Sequence, residues 1–120
     1  MNQIIASSLI LLSLDAVFLY ASSSIFKAQV LAVQRTPLQI NLVGAIGCYI
    51  LMIFGLNYFI LQERRSPFDA FLLGLVIYGV YETTSLAVLR EWRLTTVLID
   101  TLWGGVLFGA TTYLTYKNPF

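Results

Sequence analysis

Four long apolar runs separated by short polar links organise this chain. They cover about residues 4–26, 38–61, 68–89 and 95–116. Each holds roughly 22 residues, and about 20 helical residues cross a hydrocarbon core ~30 Å thick. The runs are continuous rather than alternating and too long for barrel strands. In lipid a backbone must satisfy its own hydrogen bonds, so the pattern predicts four helices. The links are Lys27–Pro37, Gln62–Pro67 (QERRSP) and Arg90–Leu94 (REWRL). Links this short join antiparallel neighbours. The expected fold is therefore all-α: an integral membrane, multi-pass, four-transmembrane-helix antiparallel bundle forming one domain over residues 1–120.

Local signals sharpen the boundaries. Ser66-Pro67-Phe68-Asp69 reads as a helix start, with Ser as cap, Pro in the first turn and Asp at the positive end of the dipole. Thr36-Pro37 is expected to open the second helix in the same way. Trp92, Tyr113 and Tyr116 fall near the ends of the runs, where amphipathic rings favour the membrane interface. The first run lacks a preceding positive segment and contains Asp15, so it reads as a retained helix rather than a signal peptide. Arg64, Arg65 and Lys117 lie at one end, and Lys27, Arg35, Arg90 and Arg93 at the other. Three against four sets no orientation under the positive-inside rule.

Composition narrows the function classes. The chain is 58% hydrophobic and 11% charged, whereas a soluble domain carries about 25% charged residues. Mean hydropathy is +0.81. Seven Lys and Arg against six Asp and Glu, with no His, give a net charge of +1. This excludes a soluble enzyme, a disordered tail and a basic nucleic-acid binder. A lone cysteine, Cys48, cannot form an internal disulfide and is expected to pack as a small residue. Without His, neither a zinc or haem site nor a Ser–His or Cys–His pair is expected. The expectation is no metal, no cofactor, no catalytic residue and no nucleic-acid partner.

Three acids, Asp15, Glu82 and Asp100, stand deep inside the apolar runs (Asp69 only opens the third), and no Lys, Arg or His does. A carboxylate at the bilayer centre costs about 2.5–3.5 kcal/mol even on lenient insertion scales, so these groups must face the bundle interior or a wet cavity. Burial and mutual repulsion both favour the protonated carboxyl. Counting ~1.5 Å per residue, Glu82 lies roughly 10 Å and Asp100 roughly 8 Å from the end carrying Arg90–Leu94. Asp15 lies roughly 16 Å in, near mid-membrane. Ser8, Asp15 and Ser22 make one helical stripe. Tyr78, Glu82 and Ser85 make a second, and Thr96, Asp100 and Trp103 a third. Asn41, Gly44, Cys48 and Gly55 form a small-residue stripe on the second helix. The expected intramembrane polar pocket comprises Asp15, Glu82, Asp100, Asn41, Tyr78, Tyr81, Thr84, Ser85 and Trp103. Gly105 and Gly109 form a GxxxG suited to close packing inside the bundle.

The segment Tyr78-Gly-Val-Tyr81-Glu-Thr-Thr-Ser-Leu-Ala-Val-Leu-Arg-Glu-Trp92, followed by Ile99-Asp-Thr-Leu-Trp103-Gly104, resembles the DUF2177 family of predicted membrane proteins. That family's pattern runs roughly Y-G-x-Y-D-L-T-N-L-A-x-L…W, then D-x-x-W-G. The resemblance covers the whole chain and includes an acid in the first helix at Asp15. Glu82 stands where the family usually has Asp, Ser85 where it has Asn, and Phe18 where Trp is common. The resemblance implies four transmembrane helices and no established activity.

Two readings of function follow. In one, the acids line a pocket serving proton- or cation-linked transport of a small solute. In the other, they are protonated and bond helices together in a non-catalytic structural component of a larger assembly, such as a viral or organelle membrane complex. An intramembrane enzyme built on paired carboxylates is a third, weaker reading, because no nucleophile, metal set or lid is visible. The expected partners are the lipid bilayer, a second copy or another membrane protein, and a proton, cation or small polar solute.

Overall fold

The computed structural model describes residues 2–117. Its elements are α1 (Gln3–Ala21), α2 (Ser23–Gln34), α3 (Leu42–Leu56), a π-helical turn (Asn57–Leu61), α4 (Pro67–Val88) and α5 (Leu94–Lys117), with no strand among the described residues. Four helical stretches are long and apolar enough to cross a membrane: α1, α3 with its π turn, α4 and α5. The all-α class and the four-helix bundle expected from the apolar runs are what the chain forms.

The first link departs from expectation. Residues 27–34 are helical, so the first apolar run ends in a break at Ser22 followed by a separate helix. The Ser22 hydroxyl donates to the Phe18 carbonyl at 2.7 Å. Such back-bonding competes with the helical ladder and bends it. The chain leaves α2 through Arg35, which takes a left-handed conformation at φ 64°. Pro37 then disfavours helical backbone at Thr36, which lies in a bend. Residues 38–41, expected to be helical, are not. Asn41 is the cap of α3 instead of Thr36, its side chain accepting from the Gly44 N–H at 3.2 Å. Asn is the stronger cap, and it stands directly before an uninterrupted apolar run.

The start of α4 follows the sequence signal. Ser66 Oγ accepts from the Asp69 N–H at 3.1 Å, Pro67 occupies the first turn, and Arg65 pairs with Asp69 at 3.1 Å.

Glycines set how the helices meet. A Cβ on Gly74 would lie 2.1 Å from the Gly104 carbonyl oxygen, and one on Gly105 would lie 2.8 Å from the Phe71 ring. So α4 and α5 touch backbone to backbone, and the Gly105–Gly109 pair serves packing within the chain. α5 also packs on α1, and α1 on α3. Leu11, Leu56, Ile60, Leu61, Leu107 and Phe108 form a core in the half of the bundle nearest the Gln62–Ser66 turn. The other half is open. The first half of α3 stands away from α4, and a Cβ on Gly44 or Gly47 would meet nothing within 4 Å.

Candidate functional site

The three acids turn inward. Asp15 is 5% exposed, Glu82 0% and Asp100 8%. Each is placed by the helix face that carries it. On α4, Gly74, Glu82 and Ser85 lie on the buried face, toward α5. On α5 the buried face carries Thr96, Asp100 and Gly104. The close α4–α5 approach that the glycines allow therefore brings Glu82 and Asp100 together. Their carboxyls lie within hydrogen-bonding reach of each other. The second oxygen of Glu82, Oε2, is buried and has no donor among the described residues. Its first oxygen, Oε1, accepts from the Trp92 indole N–H at 3.0 Å. Trp92, expected near a membrane interface, stands in the α4–α5 link, half-buried, with its indole N–H on the acid.

Asp15 has a separate environment. Tyr49 Oη donates to Oδ2 and Trp103 Nε1 donates to Oδ1 at 2.9 Å. Phe18, one helical turn from Asp15, stacks on the Trp103 ring with centroids 4.5 Å apart and planes 3° from parallel. Two donors satisfy both carboxylate oxygens, and the stack fixes the indole that supplies one of them. Asp15 remains within electrostatic reach of Asp100, and Tyr78 feels both.

Among the other expected pocket residues, Tyr78 lies against Gly104 and donates to Met52 Sδ at 3.3 Å, joining α4 to α3. Ser85 is buried but spends its hydroxyl on the Tyr81 carbonyl at 2.9 Å. Thr84 is exposed, because two residues along a helix turn a side chain to the far face from Glu82. Asn41 is also exposed and caps α3, well outside the acid cluster. Tyr81 is 60% exposed yet lines a cleft of about 340 Å³ with Cys48, Met52, Ile77, Tyr78 and Asp100. The cleft lies between the open half of α3 and the face of α4. Cys48, expected to pack, is exposed there.

Two positions escaped the sequence reading. Tyr49 looked like bulk on an apolar helix, and nothing in its neighbours marks it as an acid's partner. Gln29 was read as part of a polar loop. It is 1% exposed, donates to the Glu91 carbonyl at 2.7 Å, and accepts from the Thr96 hydroxyl at 2.7 Å and the Arg93 N–H at 2.9 Å. It ties α2 to the α4–α5 link that carries Trp92. A polar residue flanked by apolar Ala28, Val30 and Leu31 was the available signal.

A family described as "Predicted membrane protein (DUF2177)" matches residues 1–117. The chain belongs to the DUF2177 family. No curated protein and no solved structure matches it. Membership agrees with the four apolar helices and assigns no chemistry to the acids.

Proposed function

We propose that this is a multi-pass membrane protein, not an enzyme, whose Glu82–Asp100 pair takes up and releases a proton or cation in moving a small solute. The observation that carries the reading is the buried Glu82 oxygen without a donor, beside a second carboxyl that lines a cleft. Two touching carboxylates cannot both be ionised cheaply in a poorly solvated site. A single proton between them satisfies the orphan oxygen and leaves one negative charge. That charge is unpaired by any Lys or Arg of the spans and is open to exchange from the cleft. Asp15, held by two donors, sets the field around the pair. The test is proton and potassium flux into liposomes containing the purified chain and a trapped pH-sensitive dye. A E82Q/D100N double variant should lose most of the flux. Unchanged flux after all three acids are converted to amides sinks the reading.

A second reading is a non-catalytic component of a larger membrane assembly. It is favoured by the thin packing of the first half of α3, where Val43 is 83% and Leu42 70% exposed. Under that reading a bulky change such as Val43→Trp disrupts co-purification with a membrane partner, and the acid-to-amide variants are tolerated. The reverse pattern rejects it.

A further inference from the structure

The cleft between α3 and α4 has walls that the proton-exchange reading leaves unexplained. An inorganic cation wants several oxygen ligands at fixed distances. Here Asp100 presents the one carboxyl on the wall, and among the described residues no group of His, Cys, Asp and Glu has metal-holding geometry. The rest of the wall is the Tyr78 and Tyr81 rings, the Met52 thioether, the Ile77 side chain and Cys48. Aromatic faces attract a cation through the ring quadrupole, most strongly where water is excluded. A thioether and an aliphatic side chain suit an apolar body. The volume, about 340 Å³, falls at the small end of the range for small-molecule sites.

Access fits the same ligand. Tyr81, Cys48 and Ile77 are exposed on the outer surface of α3 and α4, which in a membrane-spanning bundle faces the acyl chains. Tyr78 and Met52, hydrogen-bonded to each other at 3.3 Å, form the part of its wall next to the core. An entrant must therefore be soluble in lipid and yet carry a positive charge. The inner wall holds that charge's counterpart: Asp100, more than nine-tenths buried, on the α4–α5 seam with Glu82, whose Oε2 is buried without a donor.

From this we infer that the cleft binds a small hydrophobic organic cation, an ammonium with an aromatic or alkyl body, entering sideways from the lipid. Its charge sits against Asp100 and the Tyr81 ring. The inference deepens the exchange reading above and rests on it. Charge balance gives the step: one monovalent cation enters, the proton shared by Glu82 and Asp100 leaves to solvent, and the net charge of the pocket is unchanged.

The experiment uses the full chain in detergent micelles and radiolabelled benzyltrimethylammonium in equilibrium dialysis. The uncharged isostere neopentylbenzene is the competitor control, and a pH dye in weak buffer counts protons. The expected result is saturable binding of one cation per chain with release of one proton, unaffected by neopentylbenzene. Asp100→Asn should weaken binding about tenfold or more. Tyr81→Ala should weaken it about threefold, with Tyr81→Phe restoring it, since the ring face and not the hydroxyl is used. Tyr81 is surface-exposed, so that pair remains readable if Asp100→Asn fails to fold. Absence of saturable binding, or equal displacement by neopentylbenzene, overturns the inference. If Asp100-dependent proton flux in liposomes persists in that case, the exchange reading stands alone. If that flux is absent as well, both fall.

Discussion

At the scale of single residues, a carboxyl group is decided by the atom facing each of its oxygens. Asp15 has a donor on both, while Glu82 has one on Oε1 and none on its buried Oε2. The three look alike as letters in an apolar run and are unlike as groups. Glu82→Gln keeps the volume and supplies an N–H toward Asp100, so its thermal stability in detergent should match or exceed that of the parent chain. Glu82→Ala strands the Trp92 N–H and leaves a hole, and should cost about 1–3 kcal/mol. Equal melting of the two variants would show that the Glu82–Asp100 contact carries no hydrogen bond. The glycines split in the same manner. Gly74→Ala drives a methyl into the Gly104 carbonyl, a backbone atom that cannot swing aside, and should destabilise by about 1–3 kcal/mol. Gly47→Ala meets open space in a helix interior and should stabilise by roughly 0.5–1 kcal/mol. Parallel thermal melts of the two variants check the pair.

At the scale of elements, what stands out is the use of α2. Sequence pattern marks it as a link because Lys27, Gln29 and Gln34 interrupt the apolar run. As a helix it points Gln29 at the α4–α5 link and the start of α5, and satisfies two groups in the link and the Thr96 hydroxyl on α5. That link contains Glu91 at φ 65°, a conformation that costs a non-glycine residue roughly 1–2 kcal/mol. The Gln29 bond to the Glu91 carbonyl helps hold it. Gln29→Leu should therefore destabilise the fold by about 1–3 kcal/mol through the groups it strands. It should also loosen Trp92 from Glu82, seen as a change in Trp92 emission in a W103F background. Emission and melting temperature both unchanged would mean that α2 does not brace the link.

At the scale of the whole molecule, the bundle is closed at one end and open at the other. At the closed end Asn57 Nδ2, in the π turn, donates to Ser7 Oγ of α1 at 3.1 Å and to the Ile53 carbonyl at 2.9 Å. The cleft between α3 and α4 lies toward the other end, and Asp100 lines it. An opening on the lipid side predicts an order of reactivity for the single cysteine, which lies on its wall. In membranes, Cys48 should react faster with a lipid-soluble maleimide than with a sulfonated, impermeant one. The opposite order would place the mouth of the cleft in water and remove the sideways route.

The composition and spacing of this chain were enough to state the class of fold. Helices follow wherever apolar runs of this length meet a solvent that offers the backbone no partners, and acids in such runs must turn from the lipid. The start of α4 was legible because Ser66, Pro67 and Asp69 act over a single turn. Other features depend on contacts between residues far apart in the chain. The pairing of Glu82 with Asp100 needs the depth to which Gly74 sinks against Gly104. The donors to Asp15 come from α3 and α5. Asn41 and Thr84 carry polar groups like the rest of the expected pocket, but backbone geometry aims one at a helix end and the other outward. Local chemistry thus names which groups must be hidden, and helix packing selects which of them share a site.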